Sequence, residues 1–300
     1  MPNQTARSTV NQSFEQIAVK ASMVSIVGNA VLSLLKLLAG IIAHSGAMVS
    51  DAVHSASDVF SSIIVIIGVK LSAREADKEH PYGHERFECV AAIILAAVLL
   101  VTGLLIGRSA LEQILSGDFT GTEAPGILAL AAAIISIVAK EAMYWYTRHY
   151  AKKLDSGALM ANAWHHRSDA LSSVGALVGI VFARMGYRIV EPIASLIICL
   201  MILKVTYDIF KDAISKMVDS GDETLEREIK ELALKQDEVL GVDLIHTRVF
   251  GNRIYVDIEI CADGSMTLEA SHQVAERVHD VIESSFPKVK HIMVHVNPAK

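Results

Sequence analysis

CVAAIILAAVLLVTGLLIG, residues 89–107, carries no charged side chain over 19 positions. A bilayer core about 30 Å thick takes on the order of 20 apolar helical residues to cross, so this stretch has the length and composition of one span. Working outward, five more stretches read the same way: residues 18–43 and 46–72 before it, and 126–146, 158–185 and 189–207 after it. Six spans agree with a chain of 300 residues that is 52% hydrophobic and has a mean hydropathy of +0.41, too apolar for an ordinary soluble domain.

Charges between the spans predict the orientation. Arg74, Lys78 and Arg86 follow the second span, and Arg148, Lys152 and Lys153 follow the fourth. The opposite connections, His44 with Ser45 and the segment from Glu112 to Glu123, are short or acidic, with Arg184 and Arg188 as the contrary charges. Basic loops stay on the cytoplasmic side, so both termini are expected there, in the inner membrane of a bacterial-type cell. Residues 1–16 are polar and lack the apolar core of a signal peptide, and they read as a cytoplasmic tail before a membrane domain over residues 17–212.

From residue 213 the composition becomes that of a water-soluble domain. ETLEREIKELALKQ, residues 223–236, is charged helix-forming sequence. Ile254, Val256, Ile258 and Ile260 alternate with Tyr255, Asp257 and Glu259, a strand period, and Gly251-Asn252 is a turn linking back to residues 242–249. Residues 267–285 return to helical spacing and residues 291–296 read as a last strand. The fold class is therefore an α-helical membrane protein of six transmembrane helices followed by a small α+β domain of order αββαβ over residues 213–300, with its helices on one face of the sheet.

Several function classes are disfavoured. A net charge of −6 and a pI near 6.1 give no basic footprint for nucleic acid. Cys89, Cys199 and Cys261 form no CxxC pair, so they read as core-filling residues rather than a disulfide or thiolate framework. No organic cofactor is expected, and the absence of HExxH and GxSxG segments argues against an enzyme.

Charge inside a span needs an explanation, since Asp at a helix centre costs roughly 2.5–3.5 kcal/mol on insertion scales. The second span contains SDAVHSASD, with His54 and Asp58 four residues apart, and the fifth contains WHHRSD, with His165 and Asp169 at the same spacing. Residues i and i+4 share a helix face, so two such helices facing each other present two imidazoles and two carboxylates to one point. That donor set suits a tetrahedral Zn²⁺-like ion. The competing reading is a pair of self-contained intrahelical hydrogen bonds that glue the bundle, and the duplication at membrane depth weighs against it. Asp51 and Asn162, one turn before each His, read either as partners orienting the imidazoles or as packing residues. His166 and Arg167 are expected to point away, toward water. Lys36, Lys204 and Glu191 fall toward span ends, where long side chains snorkel, and Lys140 with Glu141 is expected to pair locally.

DKEHPYGHERFE, residues 77–88, adds Asp77, His80 and His84 as mixed N and O donors beside the cytoplasmic mouth, against the alternative of a solvated turn at Pro81 and Gly83.

Through HxxxD in the second span, HxxxD in the fifth and HPYGH between them, the chain resembles the cation diffusion facilitator family over nearly its whole length. The resemblance implies a homodimeric metal/proton antiporter working by alternating access, with the metal held by His54, Asp58, His165 and Asp169. It implies a metallochaperone-like cytoplasmic domain and a loop metal site at Asp77, His80 and His84. Asp257, His272 and His295 resemble family positions that bind metal at the dimer interface, although Glu259 and Asn297 stand where a full binuclear site has His and Asp. Arg86 and Asp219 resemble a charge interlock between the two parts. His at position 54 favours Zn²⁺, as cargo and as a structural or regulatory ion, with Cd²⁺, Fe²⁺, Co²⁺ and Mn²⁺ as further cargo. The alternatives are a membrane metal sensor or scaffold with little transport, and an intramembrane zinc hydrolase, which four protein ligands disfavour by closing the site.

Overall fold

The computed structural model describes residues 4–42, 46–117, 127–185, 187 and 189–299; the loop residue His44 and the side chains of Asp51, His54 and Glu191 lie outside the described residues. The chain divides into two units, Met1–Ala213 and Ile214–Lys300. The first is built on six long helices: α1 (Gln4–Ile42), α2 (Gly46–Ser72), α3 (Phe87–Ser116), α4 (Ile127–Leu154), α5 (Gly157–Arg184) and α6 (Val190–Met217). Two of these regions, Ser13–Ala39 and Phe87–Ser116, are long and apolar enough by composition alone to cross a membrane. The polar stretch expected as a tail is helical from Gln4 onward, because hydropathy marks where a helix leaves the bilayer and not where it ends.

The bundle exposes many large apolar side chains and buries small and polar ones beside its apolar clusters. On α1, Ala18, Ala21, Ser22, Ser25 and Asn29 are buried at helical spacing, while Val27, Leu34, Ile41 and Ile42 are exposed. On α3 the small residues Ala91, Ala92 and Ala96 face inward, and Val101, Leu104 and Leu105 face outward. Lipid offers large apolar side chains as good an environment as any core, so helices in it associate through small residues and hydrogen-bonding hydroxyls. Ser25 and Thr147 make such a contact, with their hydroxyl oxygens 3.2 Å apart between α1 and α4. Gly68 of α2 packs so closely on α3 that a Cβ there would overlap the Ala91 methyl.

The helices alternate in direction, which gives the bundle two distinct ends. At the end carrying the α2–α3 loop, Phe14, Ala18, Val65, Val69, Leu95 and Leu159 join one buried apolar cluster. Toward the other end, a cavity of about 330 Å³ opens between α1, α2, α3, α4 and α5, lined by Lys36, Ser55, Ser136, Lys140, Ser172 and Ser173 among others. The apolar cluster and the cavity thus lie toward different ends of the bundle among the described residues.

The second unit runs α7 (Glu223–Ala233), β1 (Gly241–Phe250), β2 (Arg253–Ala262), α8 (Leu268–Ser285) and β3 (Val289–Pro298). The strand order is β1-β2-β3, so β2 is central, antiparallel to β1 and parallel to β3 across the α8 crossover. Gly251 turns the hairpin at a φ of 63°, a conformation that L side chains avoid. Ile254, Val256, Ile258 and Ile260 of β2 pack with Ile229 of α7 and Val274, Val278 and Ile282 of α8 in a single core. Asp222 starts α7 by accepting the Thr224 and Leu225 amides, and Thr267 starts α8 by accepting the Ala270 amide. The order αββαβ is the one the sequence predicts.

Candidate metal centre

Helical spacing puts His165 and Asp169 on one face of α5, and that face meets α2 at Asp58. His165 Nε2 lies 3.2 Å from Asp58 Oδ1 and 4.0 Å from Asp169 Oδ2. All three residues are at most 9% exposed, and each offers a donor atom within 4.8 Å of the others. Two carboxylates and an imidazole so close and so little exposed form a donor set that suits a divalent cation. His54 occupies α2 one turn before Asp58, and its side chain lies outside the described residues, as does that of Asp51.

A fourth member comes from α4 and corrects a sequence expectation. Lys140 does not pair locally: its Nζ donates to Asp58 Oδ2 at 2.5 Å and to Asp169 Oδ2 at 2.9 Å. Glu141 instead accepts from Trp145 Nε1 at 2.9 Å and pairs with Arg167 at 3.6 Å. Placing the fourth span at residues 126–146 put Lys140 near an edge, whereas α4 continues to Leu154 and carries Lys140 close to its middle. A lone Lys after an apolar run was the available signal.

Two further expectations change, those for Lys36 and His166. Lys36 does not snorkel; it is buried at the cavity and donates to Ser55 Oγ at 2.9 Å. His166 is fully buried rather than near water, and neither of its ring nitrogens has a hydrogen-bond partner among the described residues. Arg167 stacks over the Tyr144 ring at 4.4 Å, where its neighbour Glu141 balances its charge. Asn162 donates to Ser62 at 3.5 Å, the packing alternative, and His165 Nδ1 has no partner among the described residues.

The loop residues also converge. Asp77 Oδ1 accepts the backbone amides of His80 at 2.7 Å and Glu79 at 3.0 Å, which curls the loop around the carboxylate. His80 Nδ1 and His84 Nε2 each lie 3.4 Å from an Asp77 oxygen, and the two imidazole centroids are 4.5 Å apart. His84 is buried and its Nδ1 is 3.1 Å from the Glu75 carbonyl oxygen, a contact that orients Nε2 toward Asp77. The amide of His80 holds the Asp77 carboxyl below its usual range.

In the second unit the candidate residues stay apart. Asp257 pairs with Arg248 at 2.5 Å, His272 with Glu276 at 3.4 Å, and His295 stands opposite Glu259 in the β2–β3 register. Cys261 is not core-filling: it is half-buried and its thiol donates to Asp243 Oδ2 at 2.9 Å, while Asn297 bridges Asp243 and Glu259. His279, Asp280 and Glu283 form a further group of donor side chains on α8 that the sequence reading left unassigned.

Comparison with known proteins bears on both units. Residues 22–218 match the family model described as the cation efflux transmembrane domain, and residues 222–299 match that of the cation efflux protein, cytoplasmic domain. An uncharacterized transporter of Methanocaldococcus jannaschii is 38% identical over 283 residues, covering 93% of this chain and 97% of that protein. The manganese efflux system protein MneP of Bacillus subtilis is 31% identical over 292 residues, covering 95% and 97%. Metal tolerance protein C1 of Arabidopsis thaliana is 36% identical over 281 residues, covering 89% of this chain and 60% of its own length.

Proposed function

The chain belongs to the cation efflux family, the cation diffusion facilitators, and from that premise we propose that it exports a divalent transition metal, Zn²⁺ first, in exchange for protons. The cargo site is His54, Asp58, His165 and Asp169. The observation that carries this reading is the buried convergence of Asp58, His165 and Asp169 on two facing helices, with His54 one turn from Asp58 on α2. Carboxylates supply the negative charge that favours M²⁺ over a monovalent ion, and imidazole supplies a donor for which protons compete with the metal.

In the proposed cycle the ion enters from the cytoplasm, passing the Asp77, His80 and His84 loop, which acts as an accessory metal site. A rocking movement exposes the site to the opposite face, and protons displace the metal there. The protein works as a homodimer in a cytoplasmic membrane with both termini inside, and the domain matching the family's cytoplasmic model supports the pairing. Asp257, His272 and His295 are proposed to gather metal only across a dimer interface.

Mn²⁺ is the second reading, favoured by the similarity to a manganese efflux protein across 95% of this chain. The two readings part in a vesicle assay. Purified protein in proteoliposomes with an imposed pH gradient is loaded with Zn²⁺ or Mn²⁺, and metal and proton fluxes are followed together. Metal flux that ignores the gradient overturns antiport, and faster Mn²⁺ flux than Zn²⁺ overturns zinc as first cargo.

A further inference from the structure

Lys140 Nζ bridges Asp58 Oδ2 at 2.5 Å and Asp169 Oδ2 at 2.9 Å, and the other Asp58 oxygen faces His165 Nε2 at 3.2 Å. The ammonium therefore sits where the donors of the proposed cargo site converge. Metal–oxygen bonds to Zn²⁺ are about 2.0–2.2 Å long, so an ion held by the same two carboxylates takes up the volume of the ammonium. The two cations compete for those oxygens, and the approach of one weakens the hold on the other. Lys140 is buried at 2% exposure, yet it lines the cavity of about 330 Å³, whose surface also carries Lys36, Leu105, Ile106 and the hydroxyls of Ser55, Ser136, Ser172 and Ser173. Ser55 already accepts from the Lys36 ammonium at 2.9 Å, so the hydroxyls open to a displaced Lys140 ammonium are those of Ser136, Ser172 and Ser173, reached on four flexible methylenes.

We propose that Lys140 is a tethered competitor for the cargo ion: its ammonium holds Asp58 and Asp169 between loads, swings aside into the adjoining cavity when a divalent cation binds, and returns to the carboxylates as protons displace that cation. This rests on the cargo-site reading given above. It makes Lys140 a residue that sets affinity and release rather than a ligand. The apparent affinity for metal is the intrinsic affinity scaled by the fraction of sites the ammonium has left. Removing the ammonium therefore tightens binding while slowing release. It also explains how a site with two buried carboxylates avoids holding its cargo too well.

The test uses full-length protein in detergent for calorimetric titration with Zn²⁺ and Mn²⁺, and in proteoliposomes for flux. Lys140→Met is expected to bind about tenfold or more tightly than wild type, with KM and kcat for flux both lowered. Lys140→Gln, which keeps hydrogen bonding without charge, should follow Met, and Lys140→Arg should restore the weaker binding. If Met destabilises the fold, the metal-dependent rise in Tm of the Gln variant reads the same affinity. Binding in Lys140→Met and Lys140→Gln that equals or falls below wild type, while Asp58→Ala abolishes binding, overturns the competitor and leaves the cargo site standing. Wild-type binding in Asp58→Ala overturns both.

Discussion

Asp58 and His165 are separated by 107 positions in the chain, yet Oδ1 of one lies 3.2 Å from Nε2 of the other. Truncating either side chain removes a donor from the same point. Asp58→Ala and His165→Ala are each expected to reduce Zn²⁺ flux in proteoliposomes to the protein-free background, a loss well beyond the roughly 10–100-fold that partners of ligands cost. Substantial residual flux in either variant would move the cargo site elsewhere.

Close approach of α2 and α3 depends on Gly68 having no side chain. Gly68→Ala drives a methyl into Ala91 and should cost about 1–3 kcal/mol by overpacking. Ala91→Gly in the same protein makes room, so the double variant should recover most of the lost Tm. Equal stability of Gly68→Ala and wild type would show that the helices slide apart freely.

Asp77 anchors the α2–α3 loop through the amides of Glu79 and His80. Its carboxyl is held below the ordinary value of about 3.9. A depressed folded-state value means that its contribution is complete above about pH 4 and is lost as the pH falls through the lower folded value. Amide exchange at His80 should therefore keep its protection from pH 7 down to about pH 4 on this account. Asp77→Ala should remove that protection at every pH.

Asp243 pushes the Cys261 thiol upward by accepting its hydrogen bond. Thiolate is the reactive form, so Cys261 should be slow toward maleimide at pH 8. Asp243→Asn lowers the thiol toward its ordinary value and should speed labelling several-fold, as followed by mass spectrometry. An unchanged rate would mean that access, not ionisation, limits the reaction.

Burial of Ile258 at 1% exposure in the second core makes Ile258→Ala a cavity mutation. The expected cost is about 2–5 kcal/mol, seen as earlier loss of amide protection in β2. Metal binding to Asp58, His165 and Asp169 in the intact chain should be unaffected, which separates failure of this domain from failure of the cargo site.

The pattern that led to Asp58, His165 and Asp169 was legible because i, i+4 spacing is a property of one helix and survives ignorance of how helices pack. Lys140 was not legible as a neighbour of theirs, since its partners lie on α2 and α5 and hydropathy places span edges only within a turn or two. Lys36 and His166 failed for the same reason: burial of a polar side chain depends on which helix faces it, and one-dimensional pattern carries no such information. In the second unit the alternation of β2 and the Gly251 turn were readable locally. Cys261 was misjudged because an alternating strand puts every second residue on the far face, and the Asp243 that meets it comes from the neighbouring strand.

The α4–α5 connection is a tight one, with Asp155 at a φ of 53° and only Ser156 between it and the next helix. α4 and α5 therefore form one hairpin that carries Lys140, His165 and Asp169 together, whereas Asp58 belongs to α2, which packs along α1. The donors of the proposed cargo site are thus divided between two pieces of the bundle, so a change in the separation of those pieces would alter several of its bonds at once rather than one after another.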